Sequence, residues 1–272
     1  MEAKWERALV TGASAGIGEA FARELAARGT DLVLVARRAD LLHRLGEELK
    51  GRHGIDVEVM PADLTDGEQL RSVEVRLTFG PPVDLLVNNA GGGTPGPGHF
   101  HAHDPDLLEG QVLLNAVSVM RLTHAALRSM TKAGRGNVIQ VSAGVAFYPT
   151  PWGATYAASK AFVNSFSQAV DFELAGSGVH ITAVCPGFTR TEGPGRNGFS
   201  ERNIPSRLWA DPEEVVLDAL TAAADGKSLV SPTLVNKIAA TFGSHFPKVM
   251  TRAAGKLRPL KKAAEAKEQT SL

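Results

Sequence analysis

The chain has few of the features that mark secreted, membrane or nucleic-acid-binding proteins. Cys185 is its single cysteine, so an internal disulfide is excluded, as is typical of proteins in reducing compartments. Its 29 basic residues equal its 29 acidic residues, so no overall field favours nucleic acid. No uncharged apolar run reaches the roughly 20 residues that span a bilayer, and residues 1–7 contain no signal-peptide core. We therefore expect a cytoplasmic protein that binds no nucleic acid.

Apolar, strand-like runs alternate with helical patterns along most of the 272 residues. Continuous aliphatic strands joined by helical crossovers predict a parallel sheet that is covered on both faces. No linker interrupts this alternation before residue 190, so we expect one doubly wound α/β domain over residues 1–247. The predicted strands are Ala8–Val10, Asp31–Ala36, Ile55–Met60, Val83–Asn88, Asn137–Val141, Val179–Val184 and Ser228–Ser231. The predicted helices cover residues 19–28, 39–50, 66–78, part of 106–131, and a stretch from Tyr156 to about Ala175.

The pattern changes after Pro186-Gly187. Residues 188–210 are rich in Gly, Pro, Arg and Asn, so we expect an irregular lid over a site. The scattered large apolar residues of this lid are Phe199, Ile204, Leu208 and Trp209. Asp211-Pro212 then begins a new helix, with an N-cap and a proline at the first position.

The last segment, residues 248–272, contains seven basic and two acidic residues and is expected to be a helical tail. Two interpretations of this basic tail are open. It is either a solvated surface, or a contact for an anionic membrane surface or an acidic partner.

Gly12, Gly16 and Gly18 lie in T-G-A-S-A-G-I-G, between the first predicted strand and the first predicted helix. Glycine lets the backbone turn sharply and approach a pyrophosphate that sits on the helix N-terminus. The spacing is G-x-x-x-G-x-G and differs from G-x-G-x-x-G, but the strand–turn–helix context is the one that a dinucleotide site needs. The sequence therefore predicts a dinucleotide cofactor at this turn.

The second predicted strand ends in Val35-Ala36-Arg37-Arg38, without an acidic residue at its tip. An aspartate there would bind the adenosine ribose and favour NAD, whereas arginine offers planar donors and a permanent charge to the 2′-phosphate of NADP. We expect NADP, with Arg37 as the main contact and Ser14 and Arg38 as helpers. Solvated arginines are the alternative. Asp63-Leu64, after the third strand, predicts an aspartate that pairs with the adenine amino group or caps the following turn, and both roles can hold together.

Tyr156 and Lys160 are four residues apart, a little over one helical turn, so their side chains project from one face. A nearby fixed cation stabilises phenolate over phenol and lowers a pKa that is ordinarily about 10. A tyrosine adjusted in this way can exchange a proton with a carbonyl or alcohol oxygen near neutral pH. Together with a dinucleotide site, the pair indicates hydride transfer.

The order and spacing of six motifs resemble the short-chain dehydrogenase/reductase family over about Lys4–Thr191. These motifs are T-G-A-S-A-G-I-G at Thr11–Gly18, Asp63, N-N-A-G at Asn88–Gly91, Asn115, Tyr156-x-x-x-Lys160 and P-G-x-x-x-T at Pro186–Thr191. The resemblance implies a single Rossmann-type domain with a mostly parallel sheet of seven strands. It also implies reversible oxidoreduction of a small-molecule carbonyl or alcohol, and assembly as a homodimer or homotetramer.

The resemblance also implies roles for individual residues. Tyr156 is the general acid, Lys160 holds the nicotinamide ribose and lowers the Tyr156 pKa, and Asn115 supports a water in a proton relay. The candidate cofactor-binding residues, from the turn chemistry and the resemblance together, are Gly12, Ser14, Gly16, Ile17, Gly18, Arg37, Arg38, Asp63, Leu64, Asn89, Ala90, Gly91, Tyr156, Lys160, Pro186, Gly187, Phe188, Thr189 and Thr191.

One position departs from the family, which normally has a serine thirteen residues before the tyrosine, where its hydroxyl polarises the substrate carbonyl. This chain has Ala143 there, next to Ser142. Adjacent residues of an extended segment point to opposite sides, which aims Ser142 away, although a bulge at Gly144 would restore it. Ser142 is the candidate catalytic serine. A substitute hydroxyl, such as that of Thr155, and a weakened active site are the alternatives.

His99, His101 and His103 alternate in a loop that is rich in Gly and Pro, with Asp104 as the adjacent carboxylate. The expected chemistry needs no metal, so we interpret them as solvated histidines and predict no metal site. Cys185 precedes Pro-Gly with no base evident beside it, which indicates a small buried residue and not a nucleophile.

We therefore expect an NADPH-dependent carbonyl reductase or alcohol dehydrogenase with Tyr156 as its general acid/base. The aromatic and proline side chains of Phe147–Trp152 predict one wall of the substrate pocket, which favours an apolar or acyl-type ketone or aldehyde. Ordinary loop packing is the alternative for these residues. The alternative function is a catalytically weak NADP-binding sensor or interaction protein, motivated by Ala143 and the basic tail.

Overall fold

The computed structural model describes residues 5–93, 99–191, 205–232, 241–242 and 245–254. The strands are β1 (Arg7–Thr11), β2 (Asp31–Ala36), β3 (Val57–Pro61), β4 (Leu85–Asn88), β5 (Gly136–Val141), β6 (Val179–Val184), β7 (Phe188–Thr189), β8 (Trp209–Ala210) and β9 (Leu229–Val230). The helices are α1 (Gly16–Ala27), α2 (Ala39–His53), α3 (Gly67–Phe79), α4 (Pro105–Val112), α5 (Ser118–Ala133), α6 (Ala154–Glu173), α7 (Pro212–Ala224) and α8 (Pro247–Ala254).

The main sheet has seven strands in the order β3-β2-β1-β4-β5-β6-β9. Every neighbouring pair in it is parallel. This confirms the predicted doubly wound α/β fold with a seven-stranded parallel sheet. The strand order reverses between β1 and β4, and in open sheets of this kind ligands bind outside the carboxyl ends of the strands at that point.

Two apolar clusters cover the two faces of the sheet. Helices α1, α2 and α7 bury one face, with Phe21 and Leu25 of α1 at its centre. The opposite face is covered by α3 and α5, with Leu122 of α5 fully buried. Along β1, Ala8 and Val10 belong to the first cluster and Leu9 to the second, because successive side chains of a strand alternate between faces.

The helix predicted within residues 106–131 is one continuous helical path with a local change of winding. Leu113–Val117 forms a π-helical turn between α4 and α5. Such turns occur mostly as single-turn insertions and are frequent at functional sites. The insertion lies at the position of Asn115.

The segment predicted as an irregular lid begins and ends in a short parallel ladder of β7 with β8. The rings of Phe188 and Trp209 lie 5.5 Å apart between their centroids. The predicted lid residues Phe199 and Ile204 lie outside the described residues. In the predicted tail, residues 248–254 belong to α8, and residues 255–272 are likewise outside the described part. Among the helices that are described, none combines the length and apolarity needed to cross a membrane.

Candidate active site

The glycine turn after β1 is held against the end of β4. Gly12 and Gly16 have φ angles of 68° and 57°, in the left-handed region that favours glycine. A Cβ on Gly12 would lie 2.7 Å from Nδ2 of Asn89, and one on Gly18 would clash with the Gly12 carbonyl oxygen. The turn is therefore packed too closely for side chains.

Asn89 and Ala90, two of the candidate cofactor-binding residues, connect the end of β4 to this turn. The Asn89 side chain donates to the Thr11 carbonyl at 2.9 Å. The Thr11 hydroxyl accepts from the backbone N–H groups of Asn89 and Ala90, both at 2.9 Å. These hydrogen bonds join the carboxyl ends of β1 and β4 into one surface, the floor of the candidate site.

The N-terminus of α1 opens onto this floor. Ala15 occupies the N-cap position and offers no side-chain hydrogen bond to the first turn. Uncapped N–H groups together with the helix dipole suit a phosphate group. A Cβ on Gly16 would lie 3.0 Å from Cγ2 of Thr191, so Thr191, in the segment after β7, lies against the turn. Ile17 is partly buried against the apolar cluster beneath.

Two arginines stand at the rim of the turn, at the end of β2. Arg38 donates from Nε to the Ser14 hydroxyl at 3.3 Å and from Nη2 to the Ser14 carbonyl at 3.2 Å. Arg37 is more open, with its side chain 68% exposed and Nη1 at 3.6 Å from Oδ2 of Asp63. The structure thus pairs Arg38 with Ser14 and places Arg37 beside Asp63.

Asp63 serves the turn after β3, which is one of its two predicted roles. Its Oδ1 accepts from the Thr65 backbone N–H at 2.9 Å and from the Thr65 hydroxyl at 2.8 Å. Burial acts to raise the pKa of Asp63, but the hydrogen bonds from Thr65 and the nearby Arg37 outweigh it and lower this pKa. Leu64 is buried in the core and packs there.

Lys160 and Tyr156 share one face of α6, as their spacing predicts. Lys160 Nζ lies 6.0 Å from the centroid of the Tyr156 ring and donates to the Val141 carbonyl at 2.8 Å. A Cβ on Gly91 would lie 3.3 Å from the same Nζ. Burial lowers the pKa of Lys160 to about 8, and the Cys185 thiol opposes this shift. The ammonium therefore lies at the carboxyl ends of β4 and β5.

The pKa of Tyr156 moves in the direction opposite to our prediction. Burial raises it to about 12, because dense protein around the phenol penalises the phenolate. The Lys160 ammonium is turned to the Val141 carbonyl and does not reverse the effect of burial. The lowered pKa expected from spacing alone is therefore wrong for this arrangement.

Asn115 is fully buried in the π-helical turn and links three elements. Its Oδ1 accepts from the Gly92 N–H at 2.9 Å, and its Nδ2 donates to the Gly92 carbonyl at 2.9 Å and to the Ser159 hydroxyl at 3.2 Å. Ser159 in turn donates to the Tyr156 carbonyl at 2.8 Å. Sequence reasoning missed Ser159, although its position three residues after Tyr156 placed it on the same helix face.

Ser142, the candidate catalytic serine, turns its hydroxyl into the packing between the end of β5 and α6. It is only 3% exposed, and its hydroxyl donates to the Lys160 carbonyl at 3.1 Å. Ala143 has extended backbone angles, so its methyl group points to the other side. The restoring bulge does not form, because the Gly144 N–H continues to the Pro186 carbonyl at 2.8 Å. The physical cause is the ordinary alternation of side chains along the extended chain.

The comparisons with known proteins agree with this geometry. A family model described as short chain dehydrogenase matches residues 6–197. The chain belongs to this family. A solved short-chain dehydrogenase from Sphingobium yanoikuyae, in complex with NADPH, is 34% identical with a TM-score of 0.80, covering 90% of this chain and 95% of that one. Family membership supports an oxidoreductase with a nicotinamide cofactor.

Two curated relatives differ in what their names say about activity. Very-long-chain 3-oxoacyl-CoA reductase of Anas platyrhynchos is 32% identical over 216 residues, covering 78% of this chain and 67% of the relative. Inactive hydroxysteroid dehydrogenase-like protein 1 of Homo sapiens is 29% identical over 195 residues, covering 72% of this chain and 59% of the relative. The short-chain dehydrogenase described here thus spans about three fifths of the human relative.

The wall predicted for the substrate pocket, Phe147–Trp152, lies between a short 3-10 turn at Gly144–Phe147 and the start of α6. Trp152 has a φ of 60°, which is unusual for a residue that is not glycine. The hydroxyl of Thr251 in α8 lies 2.8 Å from the Pro149 carbonyl oxygen and 2.8 Å from the Pro247 carbonyl oxygen of its own helix. The C-terminal helix therefore packs on the wall, a contact that sequence patterns did not indicate.

Thr189, Cys185 and the pair of His99 with His101 were also singled out by the sequence. Thr189 is buried and donates to the Gly187 carbonyl at 3.3 Å. Cys185 is fully buried, as predicted for a packing residue, and its thiol donates to Oδ1 of Asn164 at 3.2 Å. The rings of His99 and His101 stack with their centroids 5.8 Å apart.

Proposed function

We propose that this chain is an NADPH-dependent reductase of apolar or acyl-type ketones or aldehydes. The observation that carries the proposal is the pairing of Tyr156 with Lys160 at the strand ends beside the glycine turn. A phenol can give a proton to a carbonyl oxygen, and an ammonium can hold ribose hydroxyl groups. Both side chains are carried by α6, and the Lys160 ammonium lies at the carboxyl ends of β4 and β5, the edge of the sheet where this kind of fold binds ligands.

The residues fit a dinucleotide along the crevice. The uncapped first turn of α1 suits the pyrophosphate, and Lys160 beside Gly91 suits the nicotinamide ribose. When bound, the reduced nicotinamide supplies the hydride that the carbonyl carbon receives. Tyr156 donates its proton to the carbonyl oxygen, while Asn115 holds the Gly92 loop and, through Ser159, the first turns of α6.

The raised pKa of Tyr156 suits the proton donation of the proposed reduction. With a pKa of about 12, the phenol keeps its proton at neutral pH, which is the form that a general acid needs. Alcohol oxidation would need the phenolate as a base, and burial disfavours that form. The same side chain acts as the base in the reverse reaction, so its pKa sets the pH range of each direction and not which direction is catalysed.

The preference for NADPH is supported by the rim of the glycine turn. Arg38 is bound to Ser14 next to the turn, and Arg37 is open to solvent 3.6 Å from Asp63. Guanidinium groups bind phosphate through paired N–H donors. We assign the 2′-phosphate to these two arginines and Ser14.

The substrate class is proposed from the wall and the relatives. Phe147–Trp152 supplies apolar surface next to Tyr156, and α8 packs on that wall. A relative named as a 3-oxoacyl-CoA reductase is 32% identical over 216 residues. These observations favour a ketone with a long apolar or acyl part.

A second candidate function is an NADP-binding module without turnover, which acts through a partner. It is favoured by Ala143, whose methyl group stands where the family's serine hydroxyl is expected, and by the use of Ser142 in the α6 contact. A relative whose name contains "inactive" is 29% identical over 195 residues. Under this candidate the chain binds NADPH tightly and reduces no carbonyl compound.

Stopped-flow measurement of NADPH oxidation separates the two candidates. We expect turnover with long-chain 3-oxoacyl thioesters or bulky apolar ketones, and a loss of roughly 10²–10⁴-fold in Tyr156→Phe, because the proton donor is removed. Ser165→Ala, which removes an exposed hydroxyl on the same helix, serves as the control and keeps full activity. Full turnover in Tyr156→Phe would remove the tyrosine from its assigned role, and tight NADPH binding without turnover would favour the second candidate.

A further inference from the structure

Val141, the last residue of β5, and Ser142, which follows it, hydrogen-bond to the side chain and to the backbone of Lys160. The Val141 carbonyl accepts from the Lys160 ammonium at 2.8 Å, and the Ser142 hydroxyl donates to the Lys160 backbone carbonyl at 3.1 Å. Ser142 and Lys160 are 3% and 4% exposed, so water does not compete for either bond. Val141 and Ser142 therefore hold both the ammonium group and the backbone carbonyl of Lys160, and we call this arrangement the clamp.

Ser142 is itself fixed to the neighbouring strand. Its backbone N–H donates to the Val184 carbonyl at 2.8 Å, and the N–H of Cys185 donates to the Val230 carbonyl at 2.8 Å. The Cys185 thiol is hydrogen-bonded to Asn164, one turn after Lys160 on α6. Ser142 therefore forms part of a buried polar contact between the sheet and the helix that carries Tyr156.

We propose that Ser142 is a positioning residue for Lys160: its hydroxyl sets the distance between β5 and α6, so that the ammonium stays aligned for the cofactor ribose. This inference rests on the proposed function, because the lysine that it aligns is the one assigned to the cofactor. The side chain of lysine is long and flexible, and fixing its backbone restricts where the charge can go. A shift of α6 away from β5 would break the bond to Val141.

The same geometry explains why Ser142 does not polarise the substrate. A hydroxyl has one proton to donate, and that of Ser142 goes to the Lys160 carbonyl. Ala143, on the opposite side of the extended chain, contributes a methyl group only. Positioning and polarisation are thus separate tasks on adjacent residues, and this chain retains the first.

The pH dependence of cofactor binding reports on the clamp. The ionisable groups that face Lys160 are Tyr156 on its own helix and Cys185 after β6. Burial is the largest cause of the low Lys160 pKa of about 8. Loosening the contact would admit water and move this pKa back towards its ordinary value, so the alkaline decline of NADPH affinity would shift to higher pH.

The test compares NADPH affinity, by fluorescence titration on both sides of the Lys160 pKa, in wild type and Ser142→Ala. We expect affinity to fall about 3- to 10-fold in Ser142→Ala, the size of one lost hydrogen bond, with the alkaline decline displaced upwards. Ser142→Thr keeps the hydroxyl and should retain the affinity. The matched control is Ser167→Ala, which removes another buried hydroxyl of α6 whose partner is the Val163 carbonyl at 2.7 Å.

Ala143→Ser, alone and with Ser142→Ala, separates positioning from substrate contact. Ala143→Ser adds a hydroxyl on the substrate side, so it should raise turnover. It should not restore the NADPH affinity that is lost in Ser142→Ala. The inference is overturned if Ser142→Ala binds NADPH like wild type across the pH range and loses turnover that Ala143→Ser restores. Absence of turnover in wild type would refute the proposed function while leaving the affinity comparison intact.

Discussion

Burial governs the chemistry of the two ionisable side chains at the site. It lowers the pKa of Lys160 to about 8 and raises that of Tyr156 to about 12, because the charged form of each group is the one that loses water. The neutral phenol suits a proton donor. Keeping the buried ammonium charged lowers the free energy of unfolding of the protein.

Lys160→Met should therefore stabilise the protein at neutral pH while abolishing turnover. Lysine holds its proton up to 10.5 when unfolded and to about 8 when folded, so the free energy of unfolding of wild type rises between these pH values. Removing the charge should raise this free energy at neutral pH by up to about 3 kcal/mol and flatten the rise. Urea unfolding at a series of pH values measures both effects, with the exposed Lys132→Met as control. An equal response in the control would contradict the role of burial.

The arginines at the rim give a prediction about cofactor choice. Replacing Arg37 and Arg38 together with alanine should weaken NADPH binding about 10- to 100-fold, because charged hydrogen bonds to the 2′-phosphate contribute about 1.5–3 kcal/mol. NADH lacks this phosphate, so its affinity should change little. Fluorescence titration with both cofactors measures the difference, and an equal loss for NADH and NADPH would place the 2′-phosphate elsewhere.

At this scale, spacing predicted which side chains meet but not how they behave. The four-residue interval correctly placed Tyr156 and Lys160 on one face of α6. The partner of the Ser142 hydroxyl and the raised pKa of Tyr156 depend on the packing of the sheet against α6. Neither property can be deduced from local sequence, because the groups that surround Ser142 and Tyr156 come from distant parts of the chain.

At the scale of elements, the turn between β1 and α1 is the most constrained part of the site. Gly12 and Gly18 leave no room for a side chain, a Cβ on Gly16 would be tight against Thr191, and Gly12 and Gly16 have positive φ angles. The strands were predicted to within about two residues, since continuous aliphatic runs are typical of buried parallel strands. The π-helical turn and the ladder of β7 with β8 were not predicted. A π-turn does not alter the hydrophobic pattern clearly, and the ladder joins distant residues.

Gly16→Ala tests the turn. The φ of 57° and the contact with Thr191 should lower the free energy of unfolding by about 1–2 kcal/mol, and NADPH affinity should fall at least about tenfold. Gly51→Ala is the control, because Gly51 lies in α2 with open space around it. This substitution should stabilise the helix by about 0.5–1 kcal/mol. Chemical denaturation and cofactor titration give the two readouts. Unchanged cofactor affinity in Gly16→Ala would argue against a pyrophosphate at this turn.

At the scale of the whole molecule, one sheet is shared by two apolar clusters, one on each face. Loss of either cluster exposes the strands that the other covers, so we expect the domain to unfold as one unit. The homodimer or homotetramer implied by family resemblance stays a prediction, as does any membrane or partner contact of the basic tail.

Phe21→Ala and Leu122→Ala, on opposite faces of the sheet, test whether the domain unfolds as one unit. Both side chains are fully buried, and each substitution should lower the free energy of unfolding by about 2–5 kcal/mol. The transitions followed by circular dichroism and by tryptophan fluorescence should move together. Phe172→Ala is the control, because Phe172 is 84% exposed and its loss should cost no more than about 0.5 kcal/mol. Separate transitions for the two probes would indicate that the faces unfold independently.

The most direct test of carbonyl reduction follows the transferred hydrogen itself. NADPH deuterated at the nicotinamide C4 position is incubated with the enzyme and a bulky ketone or 3-oxoacyl thioester, and the alcohol product is analysed by mass spectrometry. We predict deuterium on the carbinol carbon with wild type, and its near absence with Tyr156→Phe. Tight binding of the labelled NADPH with no labelled alcohol from any carbonyl compound would contradict the assignment as a reductase.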